Sequence, residues 1–283
     1  MPTTDTHARP PGASPPRHRV PWRGAPQVYW LVVACVSAVA ALYWGAVNTE
    51  AGQAYEDAVL EGAAQAAGGL ADTLARALLK LTPLVAFGAL LGAVVVGRRR
   101  RGWATVVLAI GIVVVSAGIV QLLKLTLTRP VLLDVGVRRA DQSFPSGHTA
   151  LALSVYAATL LAIPARHRRT AGALVGLWAL GVCLAVVAAD WHRPSDVLAA
   201  ALIVVAVAAP ACALAAELNP VTDGPMPDAG RRVALVAGGV LPVAAASLVL
   251  VDDGPSALSL GLAAVLVWGT WTLLALWWLN RRG

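Results

Sequence analysis

Long apolar stretches separated by short polar clusters dominate this chain. They fall at about residues 28–48, 78–97, 103–123, 147–164, 171–190, 196–216, 233–251 and 257–279. An α-helix rises about 1.5 Å per residue, so a hydrocarbon layer about 30 Å thick takes roughly 20 residues. Each stretch fits one crossing, and in lipid a lone segment can pair its own backbone groups only as a helix. The expectation is an all-α membrane protein, a polytopic bundle of eight helices. Between the first two spans, residues 49–77 scatter Glu50, Glu56, Asp57, Glu61 and Asp72 among alanines, which predicts an amphipathic helical pair at the outer surface. Residues 1–26, rich in proline and carrying Arg9, Arg17, Arg19 and Arg23, predict a disordered basic tail. The first apolar stretch is too long for a cleaved signal sequence and is expected to stay as the first helix.

Composition agrees with this pattern. The chain is 58% hydrophobic and 13% charged, with a mean hydropathy of +0.70. A soluble protein with one core does not have that profile. The net charge of +7 raises nucleic acid as a partner, but its distribution argues against that. With the N-terminus inside the cell, the tail arginines, Arg98 to Arg101, Arg166, Arg168, Arg169, Arg231, Arg232, Arg281 and Arg282 all fall on the cytoplasmic side. These are fifteen of the 22 cations. That bias predicts a plasma-membrane protein with both termini cytoplasmic. A nucleic-acid reader needs a basic face with interleaved aromatics on a folded soluble module, and none is visible. Cys35, Cys183 and Cys212 all sit in apolar stretches and read as small buried hydrophobes, with no disulfide framework and no metal site.

The candidate chemistry follows from helix parity. Lys124 closes the third span, and Arg129 follows it. Ser146, Gly147 and His148 open the fourth. Asp190, His192 and Arg193 follow the fifth, and Ser195 and Asp196 open the sixth. Odd spans end outside and even spans begin there, so these groups share one extracytoplasmic rim. Lys124, Arg129 and Arg193 attract anions, and a helix N-terminus at Ser146-Gly147 offers N–H donors and a positive dipole end. Two histidines can divide nucleophilic and proton-transfer roles near neutral pH. Asp196, four residues after His192, is placed to hold one ring nitrogen and leave the other to attack.

Pro145-Ser146-Gly147-His148, and His192 with Asp196 after three intervening residues, resemble the second and third motifs of the type 2 phosphatidic acid phosphatase (PAP2) superfamily, which includes lipid phosphate phosphatases and vanadium haloperoxidases. The family's first motif is Lys, six residues, then Arg-Pro. Here Lys124 meets Arg129-Pro130 after four residues, and Val131 stands at the family's arginine position. The Ser-Arg of the third motif falls on Ala185-Val186. Arg193, Arg138 and Arg139 are the candidates to replace the missing charge. The resemblance implies a six-helix core, expected over 27–216, with 1–26 as the tail and 217–283 as two additional helices. It implies a metal-independent phosphatase with no cofactor. His192 would be the nucleophile, oriented by Asp196, with His148 as acid and then base. Lys124, Arg129, Ser146, Gly147 and Arg193 would hold the phosphate.

A site at the rim of a membrane bundle suits a substrate with an embedded tail and an accessible headgroup. Polyprenyl diphosphate and phosphatidate are the candidates. The alternatives are a non-catalytic phosphate- or lipid-binding membrane protein, or a lipid transporter. A transporter site is expected near the bilayer midplane on interrupted helices, and no span carries a charge at its middle.

Overall fold

A computed structural model describes residues 25–133, 143–218 and 255–279. Among these residues the regular structure is helical, with no strand: α1 (Ala25–Leu42, continued by a π-turn over Tyr43–Val47), α2 (Glu50–Gln65), α3 (Leu70–Arg101), α4 (Trp103–Thr126), α5 (Gly147–Ala162), α6 (Ala165–Ala188), α7 (Pro194–Leu218) and α8 (Pro255–Leu279). Six of them (α1, α3, α4, α6, α7 and α8) are long and apolar enough to cross a membrane, and α5 is a shorter apolar helix. This is a polytopic helical membrane protein. The expected span at 233–251 and the tail over 1–24 lie outside the described residues, as do Arg138 and Arg139.

The outer connection departs from expectation. The paired amphipathic helices predicted over 49–77 are one separate helix, α2, followed by the start of α3, a single helix of 32 residues that runs on into the membrane. An apolar-window reading finds only the part of α3 that sits in hydrocarbon. Nor does α2 rest at the surface: Tyr55, Glu56, Val59, Leu60 and Ala63 are buried, packed against α8. Thr49 starts α2 by accepting the N–H of Gly52 at 3.1 Å, which satisfies one of the orphan donors of the first turn.

At the centre are α5 and α7. Of the most apolar stretch of α7, 67% is buried, against 22% for α1 and α3, which therefore form the outside. Alanines at 199, 200, 201, 208 and 209 line α7 and are buried. Small side chains let neighbouring backbones approach closely, which is how helices pack where lipid offers no hydrophobic contrast. With 16 residues, α5 is about 24 Å long, short of the roughly 30 Å layer. Both of its ends are buried within the bundle, with Ala162 at its close as covered as its start. Ser146, at its start, is fully buried.

Near the start of α8, a Cβ on Gly261 would lie 3.4 Å from Pro194 at the start of α7 and 2.8 Å from Val59 of α2. Near its other end, a Cβ on Gly172 of α6 would lie 2.8 Å from the Trp277 ring. α7 and α8 thus run in the same direction, and α8 backs both α7 and α2.

Candidate active site

The turn from α6 to α7 is built by the local sequence. Asp190 has a φ of 64°, the left-handed position that commonly ends a helix. Its N–H donates to Val187 O at 3.0 Å, and Trp191 N–H donates to Val186 O at 3.0 Å; this paired arrangement is a Schellman motif. His192 N–H also donates to Val186 O, at 2.9 Å. The chain is thereby folded back so that His192 stands against the start of the next helix. Pro194 occupies the first turn of α7, where no N–H is needed. Asp196 then reaches back, and its Oδ2 accepts the backbone N–H of Arg193 at 3.0 Å, the carboxylate half of a capping box.

That same oxygen lies 3.1 Å from His192 Nδ1. Asp196 is fully buried and His192 nearly so. A carboxylate acts only as an acceptor, so the contact assigns the proton to Nδ1 and leaves Nε2 with a free lone pair. Asp196 also joins α7 to α5: its carbonyl accepts Ser146 N–H at 2.9 Å. Ser146 Oγ in turn accepts Thr149 N–H at 3.4 Å, so this serine side chain serves as the N-cap of α5. The His148 ring, one residue into α5, stacks at a tilt on Trp191, centroid to centroid 5.4 Å. His148 interacts electrostatically with His192 and Lys124, and Lys124 in turn with Asp196. Lys124 Nζ would lie 3.9 Å from a Cβ on Gly147, so the lysine of α4 stands over the first turn of α5.

Residues 102–219 match the family model of the PAP2 superfamily. This segment belongs to that superfamily. It covers α4 to α7 and contains each of Lys124, Arg129, Ser146, Gly147, His148, His192, Arg193 and Asp196. Nothing matches among curated proteins, and nothing among solved structures. Helices α1 to α3 and α8 lie outside the PAP2 match.

What sequence reasoning missed is the part of the site outside that segment. Arg129 is buried, and its Nη2 donates to Glu56 Oε2 of α2 at 2.6 Å. Glu56 Oε1 accepts the backbone N–H of Ser195 at 3.2 Å. Arg193 donates through Nη2 to Asp57 Oδ1 at 3.1 Å and through Nη1 to Ser143 Oγ at 3.5 Å, with its Nε 3.9 Å from Glu56 Oε2. Two of the expected anion-binding cations are therefore tied to adjacent carboxylates of α2. Burial pushes the Glu56 carboxyl up, to about 7, while Arg129 pulls the other way. Arg129 Nε and Nη1 have no hydrogen-bond partner among the described residues, so part of this guanidinium still has donors to offer an anion. One signal was present in the sequence: an acidic connection, 49–77, on the side that holds the unmatched outer cations. Charge complementarity points to the pairing, but it does not say which carboxylate meets which arginine.

Proposed function

We infer that the protein is a membrane phosphatase that removes phosphate from a lipid phosphate or diphosphate presented at the extracytoplasmic face. The observation that carries this reading is the buried His192–Asp196 pair inside a PAP2 segment, set beside a second histidine and a lysine at the mouth of a short helix. His192 Nε2 attacks phosphorus while the bond from phosphorus to the leaving oxygen breaks, and His148 gives that oxygen its proton. The product is a phosphohistidine, with the positive charge of the ring held by Asp196. A water then attacks phosphorus, His148 takes its proton, the N–P bond breaks, and inorganic phosphate leaves. Lys124, the open donors of Arg129 and the N–H groups at the start of α5 face the negative charge on the transferring group, and fixed donors of this kind are the main catalytic contribution in phosphoryl transfer.

The substrate class follows from where the pocket lies. Lys124, His148, His192 and Asp196 gather at the start of α5, at one end of the bundle, where a headgroup can reach them while its tail stays among lipids. Arginines of α3 and α6 gather at the opposite end, where Arg101 and Arg168 are close enough to repel. Positive charge marks the cytoplasmic side, which supports an outward-facing site. A polyprenyl diphosphate, needed outside the cell membrane, fits that position, and phosphatidate is the second candidate.

Purified protein in detergent, with chelator present, should release phosphate from one of these lipids. His192→Ala and His148→Ala should each lower the rate by about 10²–10⁴-fold, the range for losing a positioned nucleophile or proton donor. Wild-type rates in His192→Ala, or activity abolished by chelation, would remove this mechanism.

A further inference from the structure

The loop after α4 carries Arg129, and it is fastened by side chains from outside the PAP2 segment. Tyr43, at the end of α1, donates its hydroxyl to Thr128 O at 2.6 Å. Gln53 of α2 donates Nε2 to Pro130 O at 2.7 Å and accepts Leu132 N–H at 3.4 Å through Oε1. Glu56, one turn further along α2, takes Arg129 itself. Both faces of the catalytic turn meet this same carboxylate, because Glu56 also accepts Ser195 N–H and approaches Arg193. Glu56 is only 1% exposed. An acidic side chain with so little exposure needs firm partners to remain charged, and here its partners are the arginine of one motif region and the backbone and arginine of another.

We propose that Glu56 is a positioning residue for the phosphate pocket, holding Arg129 and the His192–Asp196 turn in register with each other and lowering the positive charge that the pocket presents to free phosphate. This rests on the phosphatase reading above. Its physical content has two parts. The carboxylate fixes cations that otherwise sit on a loop and a turn with separate motions, so Arg129 meets the transferring phosphoryl group in line with His192. It also subtracts one negative charge's worth of attraction from that group and its product, so phosphate does not linger beside Arg129 and Arg193. Holding geometry favours the transition state; weakening ground-state attraction speeds product release.

The test compares Glu56→Gln and Glu56→Asp with the intact full-length protein in detergent. Two readouts are needed: turnover on the lipid phosphate, and direct calorimetric titration with inorganic phosphate. Glu56→Gln keeps the shape and removes the charge. Its kcat should fall about tenfold or more while it binds inorganic phosphate about threefold or more tightly, since a nearby opposing charge has gone. Glu56→Asp keeps the charge but shortens the reach. Its kcat should fall while its phosphate affinity stays within about twofold of wild type, and it serves as the test if the glutamine variant does not fold. A merely structural role would lower the amount of active protein and leave phosphate affinity the same in both variants. That result, or wild-type turnover in both, would overturn the proposal. His192→Ala is assayed alongside. If it turns over like wild type, the phosphatase mechanism is at fault, and the phosphate titration still reports on Glu56 independently of turnover.

Discussion

Asp196 Oδ2 accepts two hydrogen bonds, one from the His192 ring and one from the Arg193 backbone. A single carboxylate therefore both caps α7 and fixes the ring. Replacing it by asparagine can keep one oxygen facing both donors, but that oxygen is a neutral amide carbonyl and no longer part of a charged carboxylate. Asp196→Asn should lower kcat by about 10²-fold or more, because the ring loses the negative charge that supports its positive charge. The helix loses only a capping contribution of about 1 kcal/mol, so the melting temperature should move little. Rate and thermal melt measured together check this; a full-rate Asp196→Asn would show that the contact is only a cap. The histidine–aspartate pair was legible in the sequence because the two residues stand four apart where a predicted span begins. Glu56 was not. Its partners lie 73 and 139 residues away, and no local periodicity encodes a pairing at that separation. The left-handed Asp190 was also hidden, since a glycine is the usual signal for that turn.

Among the helices, hydropathy located the crossings well and their ends poorly. α3 begins at Leu70 and α6 at Ala165, ahead of the apolar stretches expected at 78 and 171. Helical hydrogen bonding continues beyond the hydrocarbon layer, so polar turns extend each helix without any apolar signal. The opposite holds for α5, whose apolar sequence was expected to run to 164 and stops at Ala162, where Ile163-Pro164 breaks it. The position of α2 depends on α8, which no pattern in either helix foretells. The contact is closest at Gly261, where a Cβ would sit 2.8 and 3.0 Å from the two methyl groups of Val59, the residue one turn beyond Glu56. Gly261→Leu should overpack this seam and cost about 1–3 kcal/mol, read as a lower melting temperature in detergent. Because α2 carries Glu56, turnover should fall as well. An unchanged melt and rate would mean that α8 only lies beside α2 and does not brace it.

The whole bundle separates two charge environments by the length of its helices. One end holds Lys124, His148, His192, Arg193, Asp196 and the carboxylates of α2; the other holds the arginines of α3 and α6. Helix parity alone was enough to group the first set, because alternation of direction is forced once the crossings are known. Depth was not available from sequence, since it depends on α5 being short and on α2 closing over the loop after α4. The PAP2 match over 102–219 covers the turns that carry His148 and His192 but leaves out α2, which holds Arg129.

The proposed mechanism passes through a covalent bond between phosphorus and His192, and that bond can be trapped. Protein mixed with ³²P-labelled lipid phosphate is quenched within one turnover, denatured and digested, and the labelled peptide is located. The label should be stable to alkali and labile to acid, as a phosphoramidate is, and should map to His192. It should be absent from His192→Ala and build up in His148→Ala wherever the first step still proceeds, because water is then no longer activated. Phosphate release by the wild type with no trapped label, or a label that persists in His192→Ala, would contradict a histidine nucleophile at this site.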